Sequence, residues 1–203
     1  MTAATSAPGP YGLVERPQAV VIGASAGAID AVSKILEALP SGFRLPIMVV
    51  IHLPANRQSM LADVFQSRSR MSVVEAEDKE PIQAGTVYLA PPNYHLLVEK
   101  NDCLSLSSEE PVNFSRPSID LLFETAADAY GAGLVGIILT GGNSDGAQGL
   151  RAVHTAGGLT VVQRPEIAHT STMPIAALDA CPTSRIFDLD EIANCLLEIA
   201  EFR

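Results

Sequence analysis

Three residues of hydrolytic type stand where short apolar runs break into turns: Ser25 after Ala19–Ile22, His52 after Ile47–Ile51, and Asp145 in the loop after Leu134–Leu139. Together they are a nucleophile, a proton shuttle and an orienting carboxylate. A serine hydroxyl attacks poorly until an imidazole takes its proton, and the imidazole needs a carboxylate to fix its tautomer and stabilise its charged form. Gly23-Ala24-Ser25-Ala26-Gly27 also fits G-x-S-x-G, whose small flanking residues permit a sharp turn that exposes the serine. Each residue has a plainer reading. Ser25 suits a helix cap or a phosphate-cradling turn, His52 a hydrogen-bonded strand end, and Asp145 the cap of a helix starting near Gly146. Their joint occurrence at three strand ends favours catalysis.

Such residues converge only if the strands share a sheet. After Ala19–Ile22 and the small-residue turn, apolar side chains recur at Ile29, Val32, Ile35, Leu36 and Leu39, which is the spacing of a helix. The same alternation predicts a strand at Ile47–Ile51, a helix at Arg57–Phe65 and a strand at Met71–Val74. It continues with helices at Ser118–Tyr130 and Ala147–Thr155, strands at Leu134–Leu139 and Leu159–Val162, a short helix at Met173–Leu178 and a closing helix at Asp188–Glu201. Val87–Leu89, Leu96–Glu99 and Cys103–Leu106 read together as an antiparallel insert. The expected fold class is therefore α/β, a doubly wound and mainly parallel sheet with helices on both faces and a small antiparallel β insert. In such sheets the functional crevice lies beyond the carboxyl ends of the strands, where Ser25, His52 and Asp145 fall. Residues 1–17 carry Pro, Gly, Ser and Thr without apolar periodicity and read as a flexible lead-in; residues 18–203 read as a single catalytic domain.

Composition narrows the partners. A formal charge of −10 and a pI near 4.7 oppose binding to a phosphate backbone, so no nucleic-acid partner is expected. The longest apolar runs, such as Pro46–Leu53, fall far short of the roughly 20 residues a membrane-spanning helix needs. No basic, apolar and small-residue sequence of a secretion signal opens the chain, so no membrane insertion and a cytoplasmic location are expected. Cys103, Cys181 and Cys195 are widely spaced and read as reduced thiols. His95 reads as a crevice or strand-entry residue, His154 as surface or packing, and His169 as a residue within reach of the cleft; none has metal-ligand spacing. Neither metal nor cofactor is expected. Nucleotide binding ranks last, because the first turn lacks full G-x-G-x-x-G spacing and no P-loop Gly-Lys-Ser/Thr occurs.

Five ordered motifs resemble the catalytic domain of the chemotaxis protein-glutamate methylesterases, the CheB family, from about Gln18 to near the C-terminus. They are Ile22-Gly-Ala-Ser-Ala-Gly27, Ile51-His-Leu-Pro54, Val87-Tyr-Leu-Ala-Pro91, Arg116-Pro-Ser-Ile-Asp120 and Leu139-Thr-Gly-Gly-Asn-Ser-Asp-Gly-Ala147. The resemblance implies a serine hydrolase that removes methyl groups from glutamate γ-methyl esters of chemoreceptors, releases methanol and deamidates receptor glutamines, with Ser25, His52 and Asp145 as its triad. The methylated chemoreceptor is the implied partner. The family usually has a receiver domain ahead of the hydrolase, whereas only residues 1–17 precede the first strand here. A separate response regulator or signalling partner is thus a second expected partner. The family commonly has Thr after the nucleophile and Met-Gly in the aspartate loop, in place of Ala26 and Gly142-Asn143. Ala26, Gly142 and Asn143 are accordingly the candidate oxyanion and substrate residues, and backbone donors there survive a side-chain exchange. The alternative is a non-catalytic or differently specific module of the same fold. Ser115 or Ser118 is expected to cap the helix that follows, and Met173-Pro174 to pack.

Overall fold

The computed structural model describes residues 9–52 and 60–202. Seven strands form one wholly parallel sheet: β1 (Ala19–Ala24), β2 (Ile47–Ile51), β3 (Ser72–Glu75), β4 (Thr86–Leu89), β7 (Leu134–Ile138), β8 (Leu159–Gln163) and β9 (Arg185–Phe187). Their spatial order is β3-β4-β2-β1-β7-β8-β9. Every residue of β1, β2, β7 and β8 is buried, whereas the edge strands β3 and β9 are partly exposed. Continuous runs such as Ala19-Val-Val-Ile-Gly-Ala24 and Ile47-Met-Val-Val-Ile51 are what strands covered on both faces require.

The helices are α1 (Ala28–Ala38), α2 (Leu61–Gln66), α3 (Ile119–Tyr130), α4 (Ala147–Thr155), α5 (Thr172–Ala180) and α6 (Leu189–Glu201). Two hydrophobic layers sandwich the sheet. One joins Val32, Ile35 and Leu36 of α1, Phe65 of α2, and Ile192, Leu196 and Ile199 of α6. The other joins Leu122, Phe123 and Ala126 of α3, Leu150 and Val153 of α4, and Met173 and Ala177 of α5. A right-handed crossover from β1 towards β2 and another from β7 towards β8 run in opposite directions along the sheet, so their helices cover opposite faces. The gap between β1 and β7 is the switch point at which such sheets open a crevice.

Val87–Leu89, expected in the antiparallel insert, belongs instead to the main sheet as β4, paired in parallel with both β2 and β3. Val87, Tyr88 and Leu89 are all buried, and only a strand covered on both faces accommodates three successive apolar side chains. The insert is the two-stranded hairpin β5 (His95–Glu99) and β6 (Cys103–Ser107), turning through Asp102 at positive φ and packing its Leu96, Val98 and Leu104 beneath α3. The short strand β9 was not expected; its Ile186 is 41% exposed and carries little apolar signal. Of the helix expected at Arg57–Phe65, residues 57–59 lie outside the described residues and α2 occupies the remainder.

The expected lead-in divides in two. Residues 1–8 lie outside the described residues. Leu13 is buried against the first core layer, the Tyr11 ring meets Phe187 edge-on at 5.8 Å, and the Tyr11 hydroxyl donates to Glu198 Oε2 at 2.8 Å. The closing helix α6 starts with a capping box: Asp188 accepts from the Glu191 amide, and the Glu191 side chain accepts from the Asp188 amide.

Helices α3 and α4 pack tightly against each other at Gly149. A Cβ placed there would lie 2.6 Å from the Phe123 Cβ and 3.0 Å from both the Asp120 Cα and its carbonyl oxygen. Gly149→Val should therefore force the two helices apart and destabilise the protein by about 1–3 kcal/mol. Urea denaturation of the two proteins at neutral pH measures this as a fall in the midpoint at constant slope.

Candidate active site

The sheet delivers two of the three residues by extending its own register. The Ser25 amide donates to the Thr140 carbonyl at 2.9 Å and the His52 amide to the Ala24 carbonyl at 3.1 Å, so the ends of β1, β2 and β7 remain tied beyond the last paired residues. The turn Ser25-Ala26-Gly27 closes with the Ala28 amide on the Ser25 carbonyl, and Gly27 takes φ +83 just before α1. A side chain at Gly27 would strike the Cβ of His169. Thr140 fastens the back of this turn: its hydroxyl donates to the Ala26 carbonyl and accepts from the Thr170 amide, while its own amide is held by Gln163 Oε1.

Asp145 is fixed more tightly than either. Its side chain is wholly buried, and its carboxylate accepts from the Ile119 amide at 2.7 Å, the Asp120 amide at 3.1 Å, the Ser118 hydroxyl at 3.0 Å and His52 Nε2 at 2.8 Å. Three of these donors are the N-terminus of α3, whose unpaired amides and dipole favour an anion. Asp145 therefore caps α3, not the α4 helix that follows it in sequence. Asp120 returns the exchange. Its Oδ1 accepts from the Gly146 and Gly149 amides at 2.9 and 2.8 Å at the start of α4, and its Oδ2 accepts from Asn113 Nδ2 at 2.9 Å. Asp145 caps the helix that carries Asp120, and Asp120 caps the helix that Asp145 precedes.

The two carboxyls respond oppositely. Burial alone would raise Asp145, but the hydrogen bonds from His52, Ile119 and Asp120 and the charge of His52 bring it below its usual value of 3.8. Asp120 is pushed up from 3.8 to about 6, first by burial and then by the neighbouring charges of Asp145 and Glu124, against the pull of the Gly149 and Gly146 amides. Asp145 is thus the member that stays ionised as pH falls, and Asp120 the one that takes up a proton first.

An ionised carboxylate only accepts, so His52 Nε2 carries a hydrogen towards Asp145 and leaves the Nδ1 lone pair free for a proton. Nδ1 lies 3.3 Å from Asn143 Nδ2, and Asn143 Oδ1 accepts from the Asp145 amide at 3.3 Å, which orients the side-chain amide towards the imidazole. Among the described residues, no hydrogen bond joins the Ser25 hydroxyl to His52. Ser25, His52 and Asn143 nevertheless line one cleft of about 420 Å³, with Asn93, Pro111, Phe114, Ser115, Arg116 and Pro117. Other hollows, of about 710 Å³ between α3 and α4 and about 440 Å³ beside Arg16 and Arg44, contain none of the three residues.

With this geometry in place, the chain can be set beside known proteins. The family model for CheB methylesterase matches residues 20–196. The chain belongs to the CheB methylesterase family. A Leptospira interrogans protein named putative protein-glutamate methylesterase/protein-glutamine glutaminase is 47% identical over 182 residues, covering 90% of this chain and 94% of that one. A protein-glutamate methylesterase/protein-glutamine glutaminase of Anaeromyxobacter dehalogenans is 38% identical over 184 residues, and there the chain spans only 54% of the relative's length. The crystal structure of the Thermotoga maritima CheB methylesterase catalytic domain superposes with a TM-score of 0.86 at 31% identity, covering 91% of this chain and all of that one.

Within this CheB methylesterase fold, the candidate oxyanion residues sit at two places. Ala26 is exposed on the turn after Ser25, and Gly142 is exposed in the aspartate loop with Asn143 beside it at the cleft. His95 is a brace: fully buried, it accepts the Ser118 amide at Nδ1 and gives its Nε2 hydrogen to the Glu110 carbonyl. His169 stacks on Gly27 with Nδ1 near the Thr170 hydroxyl and does not line the cleft; His154 lies at the surface near Thr183. Ser118 occupies the N-cap position of α3 but makes no cap hydrogen bond, because Asp145 has taken the amides and the Ser118 hydroxyl donates to that carboxylate instead. Ser115 is also no cap; its hydroxyl bonds the Asn113 carbonyl and its backbone pairs with Val112. Met173 packs as expected, buried against Gly141. Asp120 and Arg116 went unassigned as site residues, although both lie in the Arg116-Pro-Ser-Ile-Asp120 motif.

The raised carboxyl of Asp120 has a consequence for stability. A group whose folded pKa exceeds its unfolded value stabilises below the unfolded value, and that contribution is lost as pH rises through the folded value. Between about pH 4 and pH 6 the wild type should therefore lose stability relative to Asp120→Asn as pH rises. Parallel urea titrations across that window check the slope of the difference, which a constant offset from lost packing leaves untouched.

Proposed function

We propose that this chain is a serine hydrolase acting on glutamate γ-methyl esters of a chemoreceptor in the cytoplasm, with release of methanol, and that it also deamidates receptor glutamines through the same acyl intermediate. The observation that carries the reading is the 2.8 Å hydrogen bond from His52 to the buried Asp145, with Ser25 opening onto the same cleft. Family membership and the names of the relatives from Leptospira and Anaeromyxobacter supply the substrate class.

In this mechanism the Ser25 hydroxyl displaces the Asn143 amide from His52 Nδ1 and passes its proton there as the oxygen bonds to the ester carbon. Loose contacts at rest that tighten in the Michaelis complex are common for such pairs. The carbonyl electron pair moves onto oxygen, where the backbone amides after Ser25 and in the Gly142-Asn143 loop are the proposed donors. Asp145 stabilises the new imidazolium through Nε2 and keeps the ring in the plane that aims Nδ1 at the cleft. The proton then goes from Nδ1 to the departing methoxide, giving methanol and an acyl-serine. Water then attacks the acyl-serine as Nδ1 takes its proton, the bond to Ser25 Oγ breaks, Nδ1 returns the proton to that oxygen, and the glutamate carboxylate leaves. A glutamine side chain follows the same course with ammonia as the leaving group.

The proposed base is Nδ1 because Nε2 is committed to the carboxylate, the reverse of the ring orientation in the Ser-His-Asp template, where the carboxylate holds Nδ1. The decisive assay incubates the purified protein with methyl-labelled receptor membranes and follows volatile methanol. Ser25→Ala and His52→Ala should each lower the rate by about 10³-fold or more, and a serine-directed phosphonate should label the wild type and not Ser25→Ala. Absence of methanol release above a protein-free blank would overturn the reading.

A further inference from the structure

Among the described residues Phe114 is the most exposed large apolar one, at 103% relative exposure, and it lines the cleft that holds Ser25 and His52. Its backbone is held at φ +62, directly after Asn113 at φ +49. A bulky residue at positive φ is an outlier, and such strain persists only where surrounding structure enforces it.

The enforcement is visible. Val112 and Ser115 exchange two backbone hydrogen bonds of 3.1 and 2.8 Å, which pinches Asn113 and Phe114 into the tip of a tight turn. Arg116 Nη1 donates to the Ser108 and Glu109 carbonyls, His95 Nε2 to the Glu110 carbonyl, and Asn113 Nδ2 to Asp120. The loop is thus tied by Arg116 to its own Ser108–Glu109 stem, by His95 to β5 and by Asn113 to Asp120 on α3, the helix whose first amides hold Asp145, yet its one aromatic ring touches solvent. A fixed, desolvation-ready aromatic on a rigid support has the character of an interface anchor, because little order is lost when it binds.

We propose that Phe114 docks the protein substrate: an apolar side chain of the receptor, next to the esterified residue on the same face of its backbone, packs on the Phe114 ring while the ester arm enters the cleft. The inference rests on the esterase reading. It favours the substrate over other occupants for a geometric reason. The chain that carries the ester arm continues on both sides of the esterified residue, so it must cross the rim of the cleft that holds Ser25 and His52, and Phe114 projects from that rim.

The test compares wild type, Phe114→Ala and Phe114→Leu on two substrates, methyl-labelled receptor membranes and the small ester N-acetylglutamate γ-methyl ester. Phe114→Ala should lower the ratio of receptor to small-ester kcat/KM by about tenfold or more, through KM, as expected for an aromatic side chain that loses its buried contact. Phe114→Leu should keep most of the ratio. An unchanged ratio, with or without an equal loss on both substrates, overturns the proposal; so does a wild-type dimer that Phe114→Ala converts to monomer in sedimentation velocity, since the ring would then serve a second copy. Failure of the wild type to cleave either ester defeats the esterase reading instead. Docking is then decided separately by cosedimentation of Ser25→Ala protein with the same membranes, where Phe114→Ala must weaken binding and equal binding overturns the proposal.

Discussion

Two buried carboxylates lie at the crossing of α3 and α4, and the site depends on how their charge is accommodated. An isolated buried anion is costly, but one that accepts from helix N-terminal amides and a hydroxyl is not isolated. Asp145 takes the amides of Ile119 and Asp120, while Asp120 takes those of Gly146 and Gly149. The two helices are thereby keyed to each other by their own termini, and neither carboxylate can be withdrawn without uncapping the other's helix. Gly149 sets how closely the helices approach, and Asn113 and Ser118 complete the donors. The orientation of His52 follows, because Asp145 has one direction left in which to accept.

Much of this architecture was legible in the sequence. The apolar runs ending at Ser25, His52 and in the loop before Asp145 specified buried parallel strands, and the crevice rule for open α/β sheets puts their ends on one edge of the sheet. Strand order was not legible, since local periodicity carries no information on which strands pair. The same gap put Val87–Leu89 in the hairpin: a short apolar run next to two hairpin strands looks like a third, and only its burial on both faces separates them.

The site was harder to read wherever a role depends on a partner far away in sequence. Ser118 has the residue type and position of a helix cap, and it loses that role because a carboxylate 27 residues downstream occupies the amides first. Asp120 stands in the first turn of α3, but the helix it caps is α4, 26 residues further along the chain. The contact of Asn143 with His52 Nδ1 required the Asx geometry of its own loop. Phe114 offered no pattern at all, because a single aromatic in a loop reads as core until its exposure is seen.

The placement of the site at the gap between β1 and β7 bears on how such an enzyme can change. Ser25 leads directly into α1, which belongs to one hydrophobic layer, while Asp145 leads into α4, which belongs to the layer on the opposite face. Ser25 and Asp145 are therefore each followed by a helix packed on a different face, and the sheet is what joins them: β1 sends Val20, Ile22 and Ala24 into one layer and Ala19 and Val21 into the other. A change in packing on either face reaches the cleft through the strand that both faces share.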